Sequence, residues 1–326
     1  MKIKILLGIF MRFGLIVTFY KIFGLAGENN NKVRIRKHGL ELTQNFNIQR
    51  QEHLQRMCKT VGHNSNTIAE LSTEQMEHML IDHNHKLLYC YVPKVACTNW
   101  KRMLMMLTYQ WKYGHNALEI PASLVHSTGM FTKLNSLNIN ERKDVLFNYT
   151  RFVVVRHPFE RLLSAYRNKL EGTSASAKYF QLRVGKQIVL NLRARPTNES
   201  LEYGNDVTFE EFVQYLLRSD LSKSNMTFNE HWEPIANLCK PCTINYNIIG
   251  KYETLLDDSA LVLDVIGANE NLTFPAGHKS SGTKESLKKY FDAIPVALVR
   301  KLYELYRDDF KLFDYRLEHV LGFELG

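Results

Sequence analysis

The sequence predicts an α/β fold in which a central, mainly parallel sheet is flanked by helices, because apolar runs of strand length alternate with segments of helical periodicity. Leu87–Val92 (LLYCYV) is a continuous apolar run, as expected of a strand buried on both faces. It leads through Pro93-Lys94-Val95-Ala96-Cys97 into a segment with Trp100, Met103, Leu104 and Leu107 at helical spacing. Arg151–Val155 (RFVVV) repeats the arrangement. Pro158 falls at the first position of the helix that follows, and Phe159, Leu162, Leu163, Tyr166 and Leu170 share one face of it. Ile244–Ile249 reads as a third strand, with Thr254-Leu-Leu-Asp257 opening a helix to about Ile266. Thr208-Phe-Glu-Glu211 is a capping box that starts a helix over Phe209–Leu217. Pro295 starts a last helix whose apolar face is Val299, Leu302, Tyr303 and Tyr306.

The chain has 326 residues, enough for one full-sized core with length left for an N-terminal anchor or stem. A hydrophobic share of 45% fits an ordered globular protein, and 8 prolines with 17 glycines exclude a collagen-like or low-complexity chain. The formal net charge of +9 points to anionic partners: nucleic acid, anionic lipid, a nucleotide or an acidic polysaccharide.

Residues 1–23 are expected to form a signal anchor. Ile3–Phe23 is apolar, lacks acidic residues, follows Lys2 and Lys4, and is near the roughly 20 residues that span a bilayer. Arg12 opposes insertion by about 2.5–3.5 kcal/mol, which the flanking Leu, Ile, Phe and Val residues offset. No small-residue cleavage site follows, so the segment is read as retained. Residues 24–75, polar and Asn-rich, are expected to be a stem with a helix near Gln49–Lys59, and 76–326 a single catalytic domain. Sequons at Asn148, Asn198, Asn225 and Asn271 agree with a secretory route.

The five cysteines are Cys58, Cys90, Cys97, Cys239 and Cys242, an odd number, so at least one is unpaired within the chain. A single C-x-x-C cannot complete a four-ligand zinc site. Pro241 inside the pair and a strand-like run after it speak against a redox motif, which leaves a local Cys239–Cys242 disulfide or turn staple as the expectation.

Two loops have the makings of anion sites. A strand, a short loop and a helix N-terminus aim unpaired backbone N–H groups and the positive end of the helix dipole at one point. Pro93–Asn99 has that position, with Lys94 early in the loop and Thr98 and Asn99 at the helix start. Neither G-x-x-x-x-G-K-[ST] nor G-x-G-x-x-G is present, which excludes the common nucleotide loops. Read locally, the segment is equally an ordinary strand–turn–helix with a surface lysine. Arg156 ends the second strand, where a guanidinium can grip a phosphate bidentately. Ser164 adds a hydroxyl two turns on, and Arg161 either contacts the same phosphate or pairs with Glu160.

Tyr91-Val-Pro-Lys-Val-Ala-Cys-Thr-Asn-Trp-Lys101 resembles the 5′-phosphosulfate motif of the Golgi carbohydrate sulfotransferases, the group of the chondroitin and dermatan 4-O-sulfotransferases and the HNK-1 sulfotransferase. Phe152–Arg167 resembles the 3′-phosphate motif of the same family. Similarity continues through Asn229–Trp232, Leu238–Cys242, Gly250–Thr254, Phe274-Pro275, Lys279-Ser280 and Phe310–Tyr315. The resemblance implies a P-loop-like sulfotransferase fold and 3′-phosphoadenylyl sulfate (PAPS) as donor, with no metal. Pro93, Lys94, Val95, Ala96, Cys97, Thr98, Asn99, Arg156, Pro158, Arg161 and Ser164 would bind the donor. It also implies a sulfated or uronic-acid-containing glycan as partner rather than a nucleic acid, sulfated most readily at the 4-position of N-acetylgalactosamine. The corresponding address is the Golgi membrane, single-pass type II, with the catalytic domain lumenal.

Sulfuryl transfer needs in-line geometry, charge stabilisation on the leaving oxygen and a base for the acceptor hydroxyl. Lys94 is the candidate for the leaving oxygen. His126 stands where related enzymes carry a base, and His231 is the second candidate. Trp232 is placed to stack on a sugar face. Lys178, Arg183, Lys186, Arg193 and Arg195 offer charges to uronic acids, or form a solvated helix face. Lys279, Ser280, Ser281 and Thr283 fall where a late loop meets the nucleotide, with Gly282 where a basic residue is expected. A kinase would need a Walker aspartate and a metal-binding hydroxyl, which are not found. A non-enzymatic glycosaminoglycan-binding protein that retains the fold is the other alternative.

Overall fold

The structure, a computed structural model, describes residues 37–61, 71–111, 114, 116–218, 228–275 and 283–318. The expected anchor Ile3–Phe23, the sequon at Asn225 and the loop residues Lys279, Ser280, Ser281 and Gly282 lie outside the described residues.

Five strands form one sheet in the order β3-β1-β2-β4-β5. They are β1 (Met79–Asp82), β2 (Leu87–Cys90), β3 (Thr132–Lys133), β4 (Thr150–Val155) and β5 (Ile248–Lys251). β2, β4 and β5 are parallel, with Tyr89 opposite Phe152 and Val153 opposite Ile249. β1 pairs antiparallel with both β2 and β3. The sheet is therefore mixed, and the three parallel strands are those whose C-terminal ends carry the site. The third strand starts later than its apolar run suggested. Ile244 ends a short helix, Pro241–Ile244, and Asn245 takes a positive φ of 56° before the strand begins at Ile248.

The helices that matter for the site follow the strands. α1 (Cys97–Leu107) comes after β2, α2 (Ala122–Val125) lies beyond it, and α3 (Ile139–Asn148) leads into β4. α4 (Pro158–Lys169) follows β4 directly, and α5 (Ala175–Phe180) turns back beside it. α6 (Phe209–Leu216) has the expected capping box between Thr208 and Glu211. α7 (Ile235–Cys239) precedes β5, and α8 (Leu255–Val265) follows it. α9 (Thr283–Asp292), α10 (Val296–Leu305) and α11 (Arg307–Leu312) close the chain, so the helix after Pro295 is followed by one more.

Packing explains why α1 and α4 sit where they do. Trp100 is fully buried, with ring centroids 4.5 Å from Phe152, which in turn stacks on Tyr89 at 4.5 Å. Phe159 stacks on Phe291 of α9 at 4.7 Å. Burying side chains of this size contributes roughly 1.5–3 kcal/mol each, so Trp100 holds the start of α1 against the sheet and Phe159 holds the start of α4 against α9.

The helix over 37–60 carries the residues expected near Gln49–Lys59. From Asn47 onward it serves the edge of β5. The Asn47 side-chain amide donates to the Asn247 carbonyl (2.9 Å) and its Oδ1 accepts from the Ile249 N–H (3.0 Å). Arg50 donates to the Ile249 carbonyl and pairs with Asp258 at 2.8 Å. These side chains satisfy backbone groups that an open strand edge would leave unpaired.

The expected local Cys239–Cys242 disulfide is not formed. Cys239 pairs with Cys90 at the end of β2, and Cys242 pairs with Cys58. Lys240, at φ 43°, ends α7 and Pro241 opens the next helix, so the chain turns between the two cysteines and delivers their sulfurs to different partners. Cys97 is free, in keeping with the odd count.

Candidate active site

The loop between β2 and α1 is built on unusual backbone. Lys94 and Ala96 both lie in the left-handed region, at φ 71° and 54°. That conformation costs an L-residue roughly 1–2 kcal/mol, and such costs concentrate at functional sites. Residues of alternating handedness turn successive N–H groups towards one side, the concavity that receives anions. No side chain caps the N-terminus of α1, so its first N–H groups keep their donor capacity for something outside the protein. Val95 fixes the loop from below, with its side chain fully buried and its N–H donating to the Val92 carbonyl (3.3 Å).

The second loop joins the first. Arg156, at 2% exposure, donates from Nη1 to the Lys94 carbonyl (3.3 Å) and from Nε and Nη2 to Glu160 Oε2 (3.4 and 3.3 Å). Its guanidinium lies over the Tyr252 ring, 4.3 Å from the centroid. Pro158 is buried at the first turn of α4, and Ser164 stands further along the same helix. Arg161 is a brace. It donates to the carbonyls of Pro93 (3.0 Å), Glu230 (2.8 Å) and Glu233 (2.6 Å), which ties the first loop to the segment bearing His231.

Both loops open on one cavity of about 810 Å³. Among the residues singled out from the sequence, Pro93, Lys94, Ala96, Cys97, Thr98, Asn99, His126, Arg156, Ser164 and His231 line it. Val95, Pro158, Arg161 and Trp232 are not on its wall. Trp232 is 3% exposed and packs between Phe180 and Phe212, so it has no face to offer a sugar. Four cationic side chains, Lys94, Lys101, Arg156 and Lys169, line the cavity against one carboxylate, Glu230, among the described residues. The cavity is thus a basic, partly dry vessel suited to an anion of several charges.

The charges act on one another. Burial, followed by the neighbouring Lys169, pulls Lys94 down to about 8. His231 is pushed to about 2 by burial and by Lys169 and Lys94, so it is neutral. Its Nδ1 lies 2.8 Å from Asn229 Oδ1. His126 caps the C-terminal end of α2 on the cavity rim, with Nε2 at 3.0 Å from Thr98 Oγ1. Loss of part of its water, and then Lys101, lower its pKa below the ordinary histidine value. Burial likewise lowers Lys101 and Lys169 and raises the Cys97 thiol.

Residues 77–316 match the family model described as "Sulfotransferase family". The chain belongs to that family. As a sulfotransferase it is an enzyme, and the family implies PAPS as the sulfate donor. It is 40% identical to "Carbohydrate sulfotransferase 11" of Mus musculus over 273 residues, which is 83% of this chain and 76% of that protein. It is 38% identical to "Carbohydrate sulfotransferase 14" of Danio rerio, over 75% of this chain and 64% of that protein. It is 33% identical to "Carbohydrate sulfotransferase 9" of Homo sapiens, over 87% of this chain and 63% of that protein. No solved structure matches the chain at a significant level.

The cavity of this sulfotransferase fits such a donor: a strained loop with free N–H groups, an adjoining guanidinium, and buried ammonium groups that lack carboxylate partners among the described residues. Sequence reasoning missed Lys101, Asn168, Lys169 and Glu230. Asn168 follows Ser164 by one helical turn, and that spacing alone could have placed it on the same face. Lys101 likewise lies one turn after Cys97 and Thr98, whereas Lys169 carries no such signal, since a lysine in the last turn of a helix is ordinarily solvated. Of the basic run near α5, Arg193 is taken: it pairs with Asp206 and Glu211 at 2.6 Å each. Lys178, Arg183 and Arg195 are exposed and Lys186 is half-buried.

Proposed function

We propose that the chain is a carbohydrate O-sulfotransferase that moves the sulfuryl group of PAPS to a sugar hydroxyl, most readily the 4-position of N-acetylgalactosamine in chondroitin- or dermatan-type glycans. The observation that carries the reading is the junction of the two loops, Arg156 bonded to the Lys94 carbonyl, over a cavity lined by buried cations. Two anion sites held at fixed separation suit a nucleotide phosphorylated at both ends. The printed names of the relatives support a carbohydrate acceptor.

In this reading the donor is held by the N–H groups of residues 96–98 and by Lys94 at its 5′ end, and by Arg156 and Ser164 at its 3′-phosphate. The Val95 and Asn99 N–H groups are taken by the Val92 and Ala96 carbonyls. Lys94 balances charge that develops on the leaving phosphate oxygen. His126, kept neutral by its lowered pKa, accepts the proton of the acceptor hydroxyl, and Thr98 orients its ring. His231 is the less suitable base, because its surroundings oppose the imidazolium that proton transfer would create. No residue in this scheme requires a metal. Arg161 keeps the loop and the His231 segment in register without touching the donor.

The reading also places the chain in the Golgi membrane, single-pass type II, with the catalytic domain lumenal. Two long-range disulfides suit an oxidising compartment. The apolar run Ile3–Phe23 supplies the anchor, and the exposed sequons Asn148, Asn198 and Asn271 are open to glycosylation.

The test is incubation with labelled PAPS and a panel of desulfated chondroitin, desulfated dermatan and N-acetylgalactosamine-ended oligosaccharides, followed by mapping of the sulfated carbon. Label at carbon 4 of N-acetylgalactosamine is expected. Label confined to another sugar or carbon contradicts the acceptor assignment and leaves the donor assignment standing.

A further inference from the structure

Lys169 ends α4 and is 8% exposed. A lysine at a helix C-terminus ordinarily extends into water and serves the dipole from there. This one is turned inward. Its Nζ donates to Ser176 Oγ at 2.7 Å and stands 4.6 Å from the Phe180 ring centroid. His231 meets the same ring edge-on, with centroids 5.2 Å apart. Lys169 therefore shares the cavity wall with Lys94 and shares an aromatic neighbour with His231.

Among the described residues, no carboxylate lies within ion-pair distance of Lys169. Glu230 lowers its isolation from farther off, but the Oε2 of Glu230 is already engaged by the Tyr91 hydroxyl at 3.1 Å. Burying an ammonium group without a counter-charge costs several kcal/mol. Lys169 lines the same cavity as Lys94 and meets the Phe180 ring that His231 also meets, so its ammonium stands on the wall shared by the donor loop and the His231 segment. Neither phosphate motif includes it, since they end at Lys101 and Arg167.

We propose that Lys169 is a second catalytic cation, holding the non-bridging oxygens of the sulfuryl group as it passes between donor and acceptor, with Ser176 and Phe180 fixing the ammonium in place. The assignment rests on the sulfotransferase reading above. In the step itself the acceptor oxygen forms a new S–O bond while the S–O bond to the 5′-phosphate breaks. The electron pair of the broken bond leaves on the phosphate oxygen, and the hydroxyl proton goes to the base. The charge on the sulfuryl oxygens persists throughout, between Lys94 on one side and the acceptor on the other. A fixed ammonium there stabilises the transition state without binding either phosphate.

The experiment compares the full chain with Lys169→Met and Ser176→Ala, using adenosine 3′,5′-bisphosphate as a probe that has both phosphates and no sulfuryl group. Lys169→Met is expected to lower kcat about 100-fold or more, the usual cost of removing a preorganised charge-stabilising group. Its Kd for the bisphosphate and its KM for the glycan are expected to stay within about 3-fold of the unaltered chain. Ser176→Ala keeps the charge and frees the ammonium, with an expected loss of about 10-fold in kcat. A bisphosphate Kd that weakens in step with turnover makes Lys169 a phosphate ligand and overturns the assignment. A raised glycan KM at unchanged kcat makes it a reader of the acceptor's carboxylate and overturns it equally, as does unaltered turnover. A thermal melt establishes that Lys169→Met is folded; if it is not, Ser176→Ala decides by the same constants. Failure of the unaltered chain to bind the bisphosphate sinks the donor reading itself, which distinguishes that failure from an error about Lys169.

Discussion

The Nη1 of Arg156 donates to the main-chain carbonyl of Lys94 at 3.3 Å, so the residue just after β4 holds the strained loop that follows β2. One guanidinium thus sets the distance between two anion sites. Arg156→Lys keeps the charge and loses the fork. Hydrogen bonds to charged groups contribute roughly 1.5–3 kcal/mol, so the affinity for adenosine 3′,5′-bisphosphate is expected to fall about 10- to 100-fold, read by calorimetry. An unchanged affinity would remove Arg156 from the 3′-phosphate site.

Ala96 adopts φ 54° at the start of α1, where a β-branched side chain crowds the backbone. Ala96→Val is expected to destabilise the protein by about 1–2 kcal/mol and to weaken bisphosphate binding, whereas Ala96→Gly should bind as well as the unaltered chain. Denaturant unfolding and calorimetry on the pair check this. Equal stability of the valine variant would mean that the loop is not held in the left-handed region.

Two groups set opposite limbs of the pH profile. In the free enzyme Lys94 is charged below about 8 and loses its proton above, so kcat/KM is expected to fall as pH rises through that value. His126 must be neutral to act as base, and its lowered pKa places the acid limb below the ordinary histidine value. His126→Ala is expected to abolish the acid limb and lower kcat about 100-fold. A kcat/KM flat from pH 7 to 10 would contradict the role of Lys94.

Much of this site was legible in the chain because the relevant physics is local. The apolar run 87–92 and the helical spacing of Trp100, Met103, Leu104 and Leu107 locate the first loop, and Pro158 locates the second. The antiparallel part of the sheet was not legible. β1 is four residues long and pairs across a tight turn, leaving too few positions for a period to show. Lys169 was hidden for a different reason: its meaning depends on Ser176 and Phe180, which only the fold brings to it. The cysteines show the same limit, since nearness in sequence suggested a Cys239–Cys242 bond and the turn at Lys240 separated them.

Peptide mapping under non-reducing conditions is expected to recover Cys58–Cys242 and Cys90–Cys239, with Cys97 alkylated. Because the Cys90–Cys239 bond closes a span of 149 residues and anchors the strand before the Lys94 loop, Cys239→Ala is expected to cost about 2–5 kcal/mol of stability. A mapped Cys239–Cys242 peptide would refute the long-range pairing.

A single nucleotide bridging the Lys94 and Arg156 loops is detected by calorimetry with two nucleotides. Adenosine 3′,5′-bisphosphate carries a phosphate for each loop, while adenosine 5′-diphosphate lacks the one at the 3′ position. The bisphosphate is expected to bind at least about 100-fold more tightly, without added magnesium, because only it engages Arg156 and Ser164. Equal affinity for the two, or binding of the diphosphate alone and only with magnesium, would contradict it.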